Sequence, residues 1–153
     1  MRNRPDDALA IAERLQHIPS RFGTLAFQTA LGHAELGNLE TAQSRIHDLA
    51  RHSVSGGVRQ ESGTMLLLFA TLAKAEGDID VARELLMVTM LRRTAETSHY
   101  SVHVADRLGI GDDYLRLAEV QVQQMRNHDW AEQHHLDCIA AVRNEMIRRD
   151  WWD

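Results

Sequence analysis

Residues 31–42 read Leu31-Gly32-His33-Ala34-Glu35-Leu36-Gly37-Asn38-Leu39-Glu40-Thr41-Ala42, and this stretch decides the fold. Apolar and small residues up to Leu36 recur at helical spacing. Gly37 then supplies the left-handed residue on which helices stop, and Asn38 tolerates the turn that follows. A new helical pattern begins at once with Leu39 and Ala42. The stretch is therefore two helices joined by a turn too short for anything but an antiparallel hairpin.

The same signature returns at residues 71–82, Thr71-Leu72-Ala73-Lys74-Ala75-Glu76-Gly77-Asp78-Ile79-Asp80-Val81-Ala82. Gly37 matches Gly77, Asn38 matches Asp78, Ala42 matches Ala82 and Ile46 matches Leu86, each 40 residues on. Ahead of the glycines, Ala30 matches Ala70 and Ala26 matches Leu66. Ala8, Ala12 and Leu15 precede Ala42, Ile46 and Leu49 by 34 residues. The 40-residue step is then a 34-residue step with six extra residues, placed in the loop-like stretch His52–Gly57.

Working outward, helical periodicity covers nearly the whole chain. Helices are expected from about Pro5 to His17, Arg21 to Leu36, Leu39 to Arg51, Val58 to Glu76 and Ile79 to Arg93. A short one is expected at Ser98–Leu108, ended by Gly109-Ile110-Gly111-Asp112-Asp113, and two more at Tyr114–Arg126 and Trp130–Arg149. A weaker third turn is read at Met125-Arg126-Asn127-His128-Asp129-Trp130, where His128 stands in the place of glycine. Ala131, His135, Cys138, Val142 and Met146 share the face that follows. Only two prolines interrupt 153 residues, and no strand or hairpin signal appears. The expected class is all-α, in one domain spanning 1–153, with better-defined repeats at 6–93 and a degenerate one at 113–149.

The 34-residue step, the Gly-Asn or Gly-Asp turn and the small residues at Ala30, Ala42, Ala70 and Ala82 resemble the tetratricopeptide repeat. That resemblance implies antiparallel helix hairpins stacked as a short, TPR-like right-handed superhelix. One pair cannot bury its own face, so neighbouring pairs share a core. The resemblance further implies a concave wall formed by the first helix of each pair. It is also similar to the sensor arms of bacterial transcription regulators and signalling ATPases, although no phosphate loop or DNA-reading helix-turn-helix accompanies it.

Composition bounds the function. Charged residues make up 25% of the chain and the net charge is −5, so no basic footprint marks a nucleic-acid binder. The pairs Arg92-Arg93 and Arg148-Arg149 sit near expected helix C-termini, where cations favour the helix dipole. No apolar run has the length of a membrane span, and the N-terminus carries no signal-like stretch, so a cytoplasmic location is expected. Lys74 is the only lysine, and with many arginines and alanines it points to a bacterial source of GC-rich sequence.

Candidate chemistry is sparse. Glu96-Thr97-Ser98-His99 and Glu132-Gln133-His134-His135 share the Glu-x-x-His spacing of di-iron bundles, but the further glutamates such a site needs are not evident. Cys138 falls on an apolar face, which favours packing over a reactive thiol. No cofactor is expected. The leading expectation is a non-catalytic protein–protein interaction module or scaffold that binds a peptide or protein partner on its concave face. Gln28, His33, Thr64, Leu68 and Thr71 are the wall candidates by facing geometry, and Trp151-Trp152 are aromatic candidates for a binding hot spot or a cap of the stack. The alternatives are an effector-sensing arm of a regulator and a metal-dependent helical-bundle enzyme. A homodimer through the N-terminal helix, which lacks a hairpin partner, is a further possibility.

Overall fold

Helix after helix in this protein ends in the same way. A computed structural model describes residues 5–15, 24–55, 62–88, 102–124 and 128–152. Among them lie eight helices and no strand. They are α1 (Pro5–Leu15), α2 (Thr24–Glu35), α3 (Leu39–Ser55), α4 (Ser62–Glu76), α5 (Ile79–Val88), α6 (102–107), α7 (Gly111–Gln124) and α8 (His128–Arg148).

At the end of α2, the Gly37 amide donates to the Ala34 carbonyl and the Asn38 amide to His33. Gly77 and Asp78 repeat this bonding onto Lys74 and Ala73, and Gly109 and Ile110 repeat it onto Asp106 and Ala105. These are Schellman turns, which satisfy the last carbonyls of a helix by placing one residue at positive φ. Gly37, Gly77 and Gly109 have φ of 76°, 88° and 72°. The first residues of the next helix also correspond, with Ala42, Ala82 and Tyr114 each donating to the residue after the turn glycine. The third glycine turn thus lies at Gly109, read from sequence as the end of the short helix before it but not as a copy of the Gly37 turn. Tyr114, which is buried, stands there in place of alanine. The turn is repeated without the small residue behind it. Of the expected turn Met125–Trp130, residues 125–127 lie outside the described residues, and His128, read in the place of the turn glycine, is instead the first residue of α8, followed there by Asp129 and Trp130.

The matched positions share an environment. Ala30, Ala70, Ala42, Ala82, Ile46 and Leu86 are all fully buried. Small residues at four of them leave room for close helix contact, and the two larger ones fill the space beyond. The match of Ala26 with Leu66 does not extend to environment, since Ala26 is exposed and Leu66 is buried.

Helix α4 is the centre of the packing. Residues 65–73 are buried without a break. A helix apolar on every side needs neighbours on every side, and α2, α3, α5 and α8 all lie against it. Leu66, Leu67, Leu68, Phe69 and Leu72 supply most of its bulk, each worth roughly 1.5–3 kcal/mol when fully buried. Helix α1 packs on α2. There Leu9 rests on Gly32, where an added Cβ would stand 3.2 Å from the Leu9 Cδ1 atom.

Two further boundaries differ from expectation. Helix α3 continues through His52–Ser55, which composition assigned to a loop. Its buried row Ala42, Ile46 and Ala50 carries the helix onward, and serine is only a weak helix breaker. Helix α7 starts at Gly111 and takes Asp112 and Asp113 into its first turn, where the helix dipole favours anions.

The fourth Schellman turn ends α8, where Asp150 donates to Ile147 and Trp151 to Met146. Here the left-handed residue is Asp150, with φ of 56°. Opposite substitutions should therefore have opposite signs. Gly77→Ala meets no neighbouring atom and pays only for the backbone, so it should destabilise the protein by about 1 kcal/mol. Asp150→Gly should stabilise it by roughly 0.5 kcal/mol. Urea denaturation of the two variants against the parent measures both.

Candidate interaction surfaces

The residues expected to line an open wall divide into two groups. Gln28 on α2 is exposed and Thr64 on α4 is half-buried. Leu68 and Thr71 are packed inside, and the Thr71 hydroxyl donates back to the Leu67 carbonyl at 2.9 Å. They are core positions, because α4 is enclosed beyond its first turn. His33 is also buried. Its Nε2 lies 3.2 Å from Glu13 Oε1 on α1, and its Nδ1 lies 3.4 Å from the side-chain Nδ2 of Asn38. The imidazole thus ties α1 and the Gly37 turn to α2. Five residues chosen by facing geometry reduce to two with access to solvent.

Close by, one carboxylate gathers three helix ends. Glu35, the last residue of α2, accepts from Arg107 Nη1 at 2.6 Å and lies 3.8 Å from Lys74 Nζ. Lys74 belongs to the last turn of α4 and Arg107 ends α6. Cations at helix C-termini are favoured by the dipole, and Glu35 holds the two together. Arg83 on α5 adds a bond to the Leu108 carbonyl at 2.9 Å. The turn at Gly109 also forms a shallow polar cup with Asp106, Asp112, Asp113 and Arg116, in which Arg116 pairs with Asp113 at 3.2 Å.

The C-terminal pair of tryptophans is drawn onto the protein. The turn at Asp150 sends Trp151 back over α3 and α4, with its ring centroid 5.9 Å from Phe69 and 5.1 Å from His47. The Arg149 guanidinium lies 5.3 Å from the Trp151 ring and 5.9 Å from Phe69. Trp152, also packed against the core, carries the Arg143 guanidinium over its ring at 4.9 Å. Both indoles are half-buried.

Beneath Trp151 runs a charge network that the sequence reading did not find. Arg149 donates two bonds to Glu76, at 2.8 and 2.7 Å, and one to Glu145 at 2.7 Å. Arg148 grips the same Glu145 with two bonds and lies 3.6 Å from Asp78. Gln43 on α3 completes the set by donating to Glu76 at 2.7 Å. The Arg148-Arg149 pair reads as a simple dipole feature in sequence. Its partner Glu76 is 73 residues away and carries no local signal. Burial alone would push the Glu76 carboxyl upward, but the bonds from Arg149 and Gln43 outweigh it and hold the group below its ordinary value.

Of the expected chemistry, Glu96 and His99 lie outside the described residues. Among the described residues no three His, Cys, Asp or Glu side chains come together as a metal site. Cys138 is buried, with its sulfur 3.5 Å from the Val88 carbonyl oxygen. No described helix is long and apolar enough to cross a membrane. Comparison of the chain with protein-family models, with curated proteins and with solved structures finds no match in any of the three. The class the coordinates define is thus an all-helical protein built on glycine-hinged helix pairs.

Removing Arg149 would leave Glu76 short of its main partner and Glu145 with only the bonds from Arg148. Arg149→Met should cost about 3 kcal/mol, read by chemical denaturation at pH 7. Acid should act on the same contact. A carboxylate held below its ordinary value of 4.5 adds stability above that pH, and the contribution is lost as the pH falls through the folded-state value. Melting temperatures measured from about pH 6 down to 3 should therefore fall less steeply for Glu76→Gln than for the parent.

Proposed function

We propose that this chain is a non-catalytic protein-interaction module of the tetratricopeptide-like kind, binding a peptide or a partner protein. The observation that carries the reading is the threefold recurrence of one turn, at Gly37, Gly77 and Gly109, with full burial of Ala30, Ala42 and Ile46 in the first hairpin and of their matches Ala70, Ala82 and Leu86 in the second. Side-by-side packing of α2 and α3 on α4 supports it, since a stack of hairpins requires the second pair to lie on both helices of the first. Such an array works by shape and surface and brings no reacting groups together. The partner would meet the rim of the wall rather than its middle, because the middle of α4 is enclosed. Gln28 and Thr64 are the wall positions that keep solvent access.

Affinity capture on the immobilised chain tests this, with partners identified by mass spectrometry and then bound in purified form. Gln28→Arg should weaken binding of a true wall partner about tenfold, the scale of a lost interface contact, with the melting temperature unchanged. Leu68→Ala serves as the contrast. It should destabilise the fold by about 3 kcal/mol and affect capture only through unfolding. Capture that follows stability across both variants, with no separate effect at Gln28 or Thr64, would remove the wall from the account.

A further inference from the structure

Helix α8 carries two apolar sides. Cys138, Val142, Glu145 and Met146 are buried on the side that faces α4 and α5. On another side Leu136, Ile139 and Ile147 are 50%, 42% and 51% exposed. Large aliphatic side chains half open to water along one helix stripe mark a contact surface.

The order of residues along that stripe says what covers it. Glu132, Leu136, Ile139 and Arg143 follow one another at intervals of four, three and four residues, the spacing of a helix–helix seam. The sequence acid, apolar, apolar, base has a centre between Asp137 and Cys138. Glu132 and Arg143 are equidistant from that centre, and so are Leu136 and Ile139. A second α8 laid antiparallel across this centre therefore places each Glu132 beside Arg143 of the second copy and each Leu136 beside Ile139 of the second copy. A parallel copy would set glutamate against glutamate and arginine against arginine. The charge order thus selects the antiparallel, two-fold arrangement, in which the same patch serves both chains.

We infer that α8 is the seam of a homodimer, formed by antiparallel pairing of the Glu132–Arg143 stripe with its counterpart in a second copy. Trp152 prepares the arginine for this contact, since its ring lies 4.9 Å from the Arg143 guanidinium and restricts it before pairing. The seam is about three helical turns long, some 16 Å, so it belongs with small, reversible interfaces. The inference needs only α8 and does not depend on the stacked-hairpin reading. It also uses a different surface from α1, where the unpaired first helix raised the expectation of a dimer.

Sedimentation velocity of the full chain from about 1 to 500 µM should show conversion of monomer to dimer, with a dissociation constant on the order of 10 µM. Ile139→Asp should remain monomeric throughout. Arg143→Glu should weaken the dimer at least about tenfold, because the two-fold axis creates two like-charged pairs from one substitution. Combining Glu132→Arg with Arg143→Glu restores opposite charges at both places and should recover the dimer. All these side chains lie outside the core, and circular dichroism confirms that each variant is folded. A parent chain that stays monomeric to 500 µM overturns the inference. So does a dimer indifferent to Ile139→Asp, or a double variant that associates no better than Arg143→Glu alone.

Discussion

The middle of helix α4 has no side for water. Residues 65–73 are buried in unbroken succession, so the helix imposes a neighbour in every direction around its axis. The first hairpin provides two of these neighbours, its own partner α5 a third, and α8 a fourth. The turns at Gly37 and Gly77 follow from that demand, because only tight antiparallel pairs bring α3 and α5 back alongside it. The long return of α8 follows as well. Without α8, Phe69 and the end of α4 would lose Trp151 and the guanidinium of Arg149.

The charge network at the end of α4 is the polar counterpart of this enclosure. Within it Arg149 and Glu145 are buried, and a buried ion pair gains little over a well-packed apolar contact, but a broken one leaves a stranded charge. Glu76 takes bonds from α3 and α8 at once, through Gln43 and Arg149. Glu35 does the same for α4 and α6 through Lys74 and Arg107. Each carboxylate terminates one helix and fixes the position of two others. Apolar burial sets how closely the helices pack, and these two acids set their register along their axes.

Much of this architecture was legible because it is local. A glycine after a helical run, followed by Asn or Asp and then an alanine five residues on, writes a hairpin into a dozen residues. The burial of Ala30, Ala42, Ala70 and Ala82 follows from the same short pattern. Gly109 was legible as a helix stop but not as a third copy of the turn, because Ile110 and Tyr114 replace the polar and small residues that made the first two recognisable. Surface residues were harder to place. Leu68 and Thr71 were assigned to an open wall from helix geometry alone, and geometry within one helix cannot show that α8 comes back over 60 residues later to join the shell around α4. The Arg149–Glu76 contact was hidden for the same reason. Long-range pairings carry no mark in the local pattern.

The placement of Trp151 has an optical consequence. Its indole lies against Phe69 and the edge of His47, sheltered by Arg149, and all of that shelter depends on α8 remaining seated. An indole leaving such a site for water shifts its emission to longer wavelength. Intrinsic fluorescence therefore gives this molecule a built-in gauge of whether its last helix is docked, separate from the overall helicity that circular dichroism reads.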